Sequence, residues 1–224
     1  MKRFARDNGL SLGFGLIFLV TLAGQAFAGA ADYNAQRSAH ALPGISVVEY
    51  LTSSTFATDV AENWQSEYLQ FLLYVLATAW LVQRGSPESK DLGQEGPQSD
   101  EDELLGRHAV EGSPRAAVVG GLVSAVYSRS LGLLMGLVFV LAWLAQSIAG
   151  RANFNQEQLA DLQEPVSWAA YLTEPDFWNR TLQNWQSEFL AVGSMAIFSV
   201  FLRQRGSAES KPVGAPHEAT GVEN

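Results

Sequence analysis

Asn63-Trp64-Gln65-Ser66-Glu67-Tyr68-Leu69 decides the fold, because the chain says almost the same thing again as Asn184-Trp185-Gln186-Ser187-Glu188-Phe189-Leu190. Each copy opens an apolar run that closes in a second shared phrase. The first run ends in Gln83-Arg84-Gly85-Ser86 with Glu88-Ser89-Lys90, the second in Gln204-Arg205-Gly206-Ser207 with Glu209-Ser210-Lys211. A shift of 121 positions carries one copy onto the other without a gap, and over the 28 positions 63–90 the copies share 14 residues. The matches lie at the two ends and the apolar middle scarcely matches. That is the pattern of a membrane helix whose middle needs only to be greasy while its ends need specific partners.

Outward from these phrases, the same shift lays Leu10–Gly29 on Leu131–Gly150, with Gln25 on Gln146, Gly29 on Gly150 and Asn34 on Asn155. Lys2, Arg3 and Arg6, the apolar run from Leu10 and Ala26-Phe27-Ala28 have the layout of a cleavable signal peptide. The internal copy argues for a retained transmembrane helix instead, since about 20 residues at ~1.5 Å each span the ~30 Å hydrocarbon core. The chain of 224 residues is 47% hydrophobic with a mean hydropathy of only +0.03, an average over apolar blocks and polar connectors.

The predicted fold class is therefore an all-α membrane protein: four transmembrane helices as two parallel tandem repeats, related by a pseudo-twofold along the membrane normal. Repeat 1 covers 1–90, with helices at about 9–29 and 64–82 and an outer connector at 30–63. An acidic disordered linker takes 91–126, around Asp100-Glu101-Asp102-Glu103. Repeat 2 covers 127–211, with helices at about 130–150 and 185–203 and a connector at 151–184, and 212–224 is a disordered tail. Thr173-Glu174-Pro175-Asp176 reads as a helix start, which extends the last helix from Thr173 to Arg203. Segments 45–51 and 166–172 read as short interfacial pieces. Tyr50, Tyr171, Trp64 and Trp185 are the expected interfacial anchors, with Trp168 beside them.

Charge sets the expected orientation. With the N-terminus in the cytoplasm, Lys2, Arg3, Arg6, Arg84, Lys90, Arg107, Arg115, Arg129, Arg203, Arg205 and Lys211 fall inside, and only Arg37, Arg151 and Arg180 outside. This positive-inside bias puts both termini in the cytoplasm. A net charge of -9 argues against nucleic acid as a partner. The absence of cysteine excludes disulfides and thiolate-ligated metals. His40, His108 and His217 sit in separate connectors without ligand spacing, and no phosphate loop, HExxH or nucleophile elbow occurs. No cofactor or metal site is expected, and the lack of these motifs ranks a membrane enzyme third, behind the two roles given below.

The gapless doubling, with Tyr-Leu-Thr at 50–52 and 171–173 and the two phrases around each second helix, resembles a family of uncharacterised bacterial integral membrane proteins. The resemblance covers nearly the whole chain apart from linker and tail. It implies a bacterial plasma (inner) membrane location and four crossings, and it transfers no activity.

The candidate polar layer is Glu67, Glu188, Gln25 and Gln146. Counted along the helices, all four lie roughly 22 Å from the cytoplasmic edge at ~1.5 Å per residue. An ionisable group at that depth costs ~3 kcal/mol unless paired or wet, so the glutamates face the bundle interior or stand in solvated first turns. The glycine pairs Gly9/Gly13 and Gly132/Gly136 have the spacing of helix contacts. The expected role is a structural or interaction protein with the lipid bilayer as partner. The alternative is a small homo-oligomeric channel or transporter that handles protons or cations through the Glu/Gln layer, because four short helices alone enclose little space.

Overall fold

The computed structural model describes residues 2–222; Met1 and the last two positions of the expected tail, 223 and 224, lie outside the described residues. Nine α-helices follow one another among them, without a strand: α1 (Lys2–Asp7), α2 (Gly9–Ala39), α3 (Val47–Leu51), α4 (Ser54–Ala77), α5 (Arg115–Val119), α6 (Gly121–Tyr127), α7 (Ser130–Ala160), α8 (Trp168–Tyr171) and α9 (Pro175–Phe201). The starts of α2, α3 and α4 recur 121 positions later as those of α7, α8 and α9. Two of the helices, α2 and α7, are long and apolar enough to cross a membrane, with mean hydropathies of 1.9 and 2.1 over their best windows.

The helices α2 and α7 run ten residues past the expected ends at 29 and 150. Polarity after Gly29 reads as a connector, but Ala30-Ala31-Asp32-Tyr33-Asn34-Ala35-Gln36 contains no helix breaker, so the helix continues as a polar one. Both helices stop in the same way. Ala41 and Leu162 take positive φ of 57° and 59°, and the next amide bonds back across the last turn, Leu42 N to Arg37 O at 2.9 Å and Gln163 N to Gln158 O at 2.7 Å. These are Schellman closures built without glycine.

The chain forms two compact units, each drawing on both copies: residues 1–61 with 145–173, and residues 62–144 with 174–224. In the first, Asn34 clamps Ile45 at both backbone groups (2.9 and 2.7 Å), and Asn155 clamps Val166 identically (3.0 and 2.8 Å). The clamps return the chain onto the helix it has just left. Ser46 and Ser167 then cap α3 and α8. Tyr50 and Tyr171, expected as interfacial anchors, are core residues instead, 1% and 0% exposed. Each phenol lies against a glycine of the long helix, Gly29 and Gly150, where a Cβ would collide with the ring. The absence of a side chain there lets an aromatic enter the core that its polar tip would otherwise hold at the surface.

In the second unit α4 ends at Ala77, short of the expected Val82, and the Ala79 carbonyl accepts from Gly96 N of the linker at 2.7 Å. The helix α9 ends at Phe201, short of the expected Arg203. A Cβ added at Gly132 or Gly136 of α7 would meet Leu72 or Leu76 at 3.6–4.0 Å, whereas one added at Gly9 or Gly13 of α2 would meet nothing within 4 Å. The linker, expected to be disordered, holds α5 and α6 and a 3-10 turn at Gly106–His108. The repeated Gln-Arg-Gly-Ser-x-Glu-Ser-Lys phrase folds alike in both copies: Ser89 Oγ accepts from Gln83 N, Ser210 Oγ from Gln204 N, each at 2.9 Å. Gly85 and Gly206 supply the positive φ, +85° and +80°, that these turns require.

Candidate functional site

In the second unit, the opening phrase builds a lock. Gln65 is 0% exposed, and its Oε1 accepts a hydrogen bond from Trp185 Nε1 at 2.7 Å, so the amide of one copy holds the indole of the other. Trp185 belongs to an aromatic cluster with Phe139 and Trp143, at ring centroids of 6.5 and 6.0 Å, and Trp143 continues it onto Phe177 and Trp178. Trp143 Nε1 donates to the buried Thr181 at 3.4 Å. The equivalent of Trp143 in the first copy is Leu22, so the ring at the centre of this cluster belongs to the second copy alone. Above the lock, Arg180 bonds Asp176 at 3.2 Å and Glu62 at 3.4 Å. Burial works against its charge, but Asp176 and then Glu62 outweigh burial and hold the guanidinium above its ordinary value.

Below the lock the two helices enclose a half-open cleft of about 270 Å³, lined by Gln70, Phe71 and Tyr74 of α4, Ala191, Val192 and Met195 of α9, and Glu88 of the following loop. Its walls come from matching positions: 70, 71 and 74 recur 121 residues later as 191, 192 and 195. The letters differ, so the α4 side is larger and more polar than the α9 side. Tyr74 Oη donates to Glu88 Oε2 at one end. Toward the other, Glu67 and Glu188 precede the lining residues by three and four positions on the same helix stripes.

Residues 1–222 match the model of a family described as a domain of unknown function (DUF6766). The chain belongs to the DUF6766 family. No curated protein and no solved structure matches it. Membership in DUF6766 agrees with the resemblance to an uncharacterised family and brings no reaction with it, so any role rests on the geometry above.

Of the four residues expected in one polar layer of this DUF6766 chain, Glu67 and Glu188 fall in the second unit, the former exposed and the latter half-buried. Gln25 and Gln146 fall in the first unit, half-buried and fully buried respectively. Trp168, beside Gln146 in that unit, donates to Ser147 at 3.0 Å. Sequence reading missed Gln65, Tyr74 and Glu88. Gln65 carried a signal, since it lies within a phrase spelled twice. Tyr74 carried none, as a tyrosine inside an apolar run reads as filling. No group of three His, Asp or Glu able to hold a metal exists among the described residues.

Proposed function

We propose that this chain is an integral protein of a bacterial plasma membrane that crosses it four times, with both termini in the cytoplasm, and that its role is structural: it presents a paired helical scaffold to partners or to other copies of itself. The observation that carries the membrane reading is the apolar flank of α2 and α7. Leu10, Phe14 and Val20 of α2 are each more than 60% exposed, and Leu131, Leu133, Leu134 and Leu137 of α7 are each more than half exposed. In water such stripes would drive association, and in lipid they are the ordinary outer face of a span. The 24 and 27 residues of α4 and α9 reach ~36 and ~40 Å at ~1.5 Å per residue, long enough for the second pair of crossings. The distribution of Lys and Arg supports cytoplasmic termini. The scaffold reading is supported by where the repeated residues go. Asn34 and Asn155, Ser89 and Ser210, and Gln65 with Trp185 are all consumed in turning and locking the chain.

Single cysteines in this cysteine-free chain test the topology with a membrane-impermeant thiol reagent on intact spheroplasts. Four crossings predict labelling of Ser38→Cys and Gln163→Cys and protection of Ser99→Cys and Gly214→Cys until lysis. Two crossings by α2 and α7 alone would put 38 and 99 on one side, and equal labelling of that pair would overturn the reading.

A second reading, a proton or cation path, is favoured by the placement of Glu67 and Glu188 at matching positions of α4 and α9, one turn before the lining of the cleft. It predicts cation or proton flux in proteoliposomes that falls at least tenfold in Glu67→Gln and Glu188→Gln. A silent wild type under every imposed gradient would discard it.

A further inference from the structure

Above the lock, the seam between α4 and α9 opens into a second cavity of different chemistry. Its volume of about 290 Å³ is near the lower end of small-ligand pockets, roughly 300 Å³. Every residue that lines it is polar: Glu62 of α4, and Asp176, Asn179, Arg180, Gln183 and Asn184 of α9. Glu62 and Gln183 occupy matching positions of the two copies, whereas Arg180 stands where the first copy has Asp59. The cation of the pocket therefore belongs to the second copy alone.

The charged groups of this pocket are already engaged with one another. Arg180 Nε donates to Asp176 and a terminal nitrogen donates to Glu62, and all three residues are half-buried. An incoming cation would have to approach the guanidinium, and an incoming anion the two carboxylates. Either would work against an ion pair whose separation leaves a partly buried charge unsupported. What the walls offer instead is neutral hydrogen bonding. Among the described residues, nothing bonds the side-chain amides of Asn179 and Gln183, and each amide both donates and accepts. Arg180 keeps N–H donors on both terminal nitrogens beyond those given to its partners. Asn184 Nδ2 donates to the Arg180 carbonyl at 3.0 Å, which leaves its Oδ1 to accept.

A hydroxyl serves such a wall best, because one oxygen both donates and accepts and its proton turns to suit. A peptide has the same two functions but brings side chains with it, and this lining has no apolar residue to receive them. We propose that the pocket binds a neutral sugar ring, with Asn179 and Gln183 as donor and acceptor contacts and Arg180 as a donor to hydroxyl oxygens. The bonds to Asp176 and Glu62 hold the guanidinium in place for that task. The proposal goes beyond the scaffold role and requires no particular number of crossings, so its failure and the failure of the topology are separate results.

The test is a saturation-transfer NMR titration of the purified full-length protein in a polyoxyethylene detergent, which carries no sugar. Glucose, galactose and N-acetylglucosamine are the neutral probes, and glucuronate and glucosamine at pH 6 are the anionic and cationic comparisons. The expected result is a saturable signal for at least one neutral sugar, with both charged sugars weaker by about tenfold or more. Asn179→Ala and Gln183→Ala remove exposed amides that hold no other part of the fold. Each should weaken binding about fivefold, the worth of one neutral hydrogen bond, while Gln70→Ala in the other cleft should leave it unchanged. Elution of each variant as the wild-type species on gel filtration separates lost binding from lost fold. No saturable signal from any of the three neutral sugars, a charged sugar that binds as tightly as a neutral one, or folded Asn179→Ala and Gln183→Ala variants that bind like wild type would each overturn the proposal.

Discussion

Glu49 gives the start of α3 a capping carboxylate that its counterpart α8 lacks. Its carboxylate accepts from Ser46 N at 2.7 Å and Ser46 Oγ at 2.8 Å, while Ser46 Oγ accepts from Glu49 N, closing a capping box at the start of α3. The bond from the Ser46 backbone, and after it the Ser46 hydroxyl, hold the Glu49 carboxyl below its ordinary value. A carboxyl lowered by folding contributes stability that is fully present above its unfolded value and is lost as pH falls through the folded one. The second copy has Ala170 at this place. Ser167 still accepts from Ala170 N at 3.2 Å, but no carboxylate answers. Taking the protein from pH 6 to below about 4 should therefore cost residues 46–50 their amide protection, after correction for intrinsic exchange, and leave 167–171 unchanged. Equal loss in both copies, read by hydrogen exchange and mass spectrometry, would mean that the box does not hold α3.

At the level of elements, the repeat told more than hydropathy did. The starts of α7, α8 and α9 follow from those of α2, α3 and α4 by one shift, and the start at Pro175 was legible from Thr173-Glu174-Pro175-Asp176. Helix ends were less legible, for a physical reason. A helix continuing into water looks like a connector when polarity is the only guide, so α2 and α7 exceeded their expected ends. They stop at Ala41 and Leu162, residues that give no warning of a left-handed conformation. Tyr50 and Tyr171 misled in the opposite direction. Aromatic residues in a short amphipathic piece read as interfacial anchors, and only Gly29 and Gly150, some twenty positions earlier, make room for them in the core. The carboxylates of the candidate layer were visible because charge in an apolar run is conspicuous. The cleft beside them was not, because its shape depends on which residues of α4 and α9 face each other.

On the scale of the whole molecule, the last residue of the second repeat, next to the tail that composition marks as disordered, is the most heavily hydrogen-bonded lysine among the described residues. Lys211 is 0% exposed, and its Nζ donates to the carbonyls of Gly85, His217 at 2.8 Å, Ala219 at 3.1 Å and Pro216 at 3.3 Å. An ammonium has three protons, so four acceptors share them. These carbonyl dipoles take the place of a carboxylate partner, while burial, and next to it Arg203, pull the lysine below its ordinary value. Gly85 N to Thr220 Oγ1 at 2.9 Å and Gly221 N to Ser86 O at 3.0 Å complete the attachment of the C-terminal segment to the loop that ends the first copy. Lys90 is the matching residue of that copy. It is half-buried and reaches one carbonyl, Gly96 O at 2.7 Å, so the same letter works as a local strut in one repeat and as a long-range clamp in the other. Lys211→Met keeps the length of the stem and removes every donor, leaving buried carbonyls at a cost of roughly 1–3 kcal/mol. Amide exchange over 212–221 should then quicken by about 10–100-fold, since opening of a local segment follows its own free energy. Lys90→Met should change exchange over 91–97 by less than about fivefold, in keeping with one half-exposed bond. If the two substitutions act equally, or if 212–221 exchanges freely in the wild type, the clamp is not what holds the segment down, and the difference between the two copies of Gln-Arg-Gly-Ser-x-Glu-Ser-Lys has no bearing on how the chain is tied together.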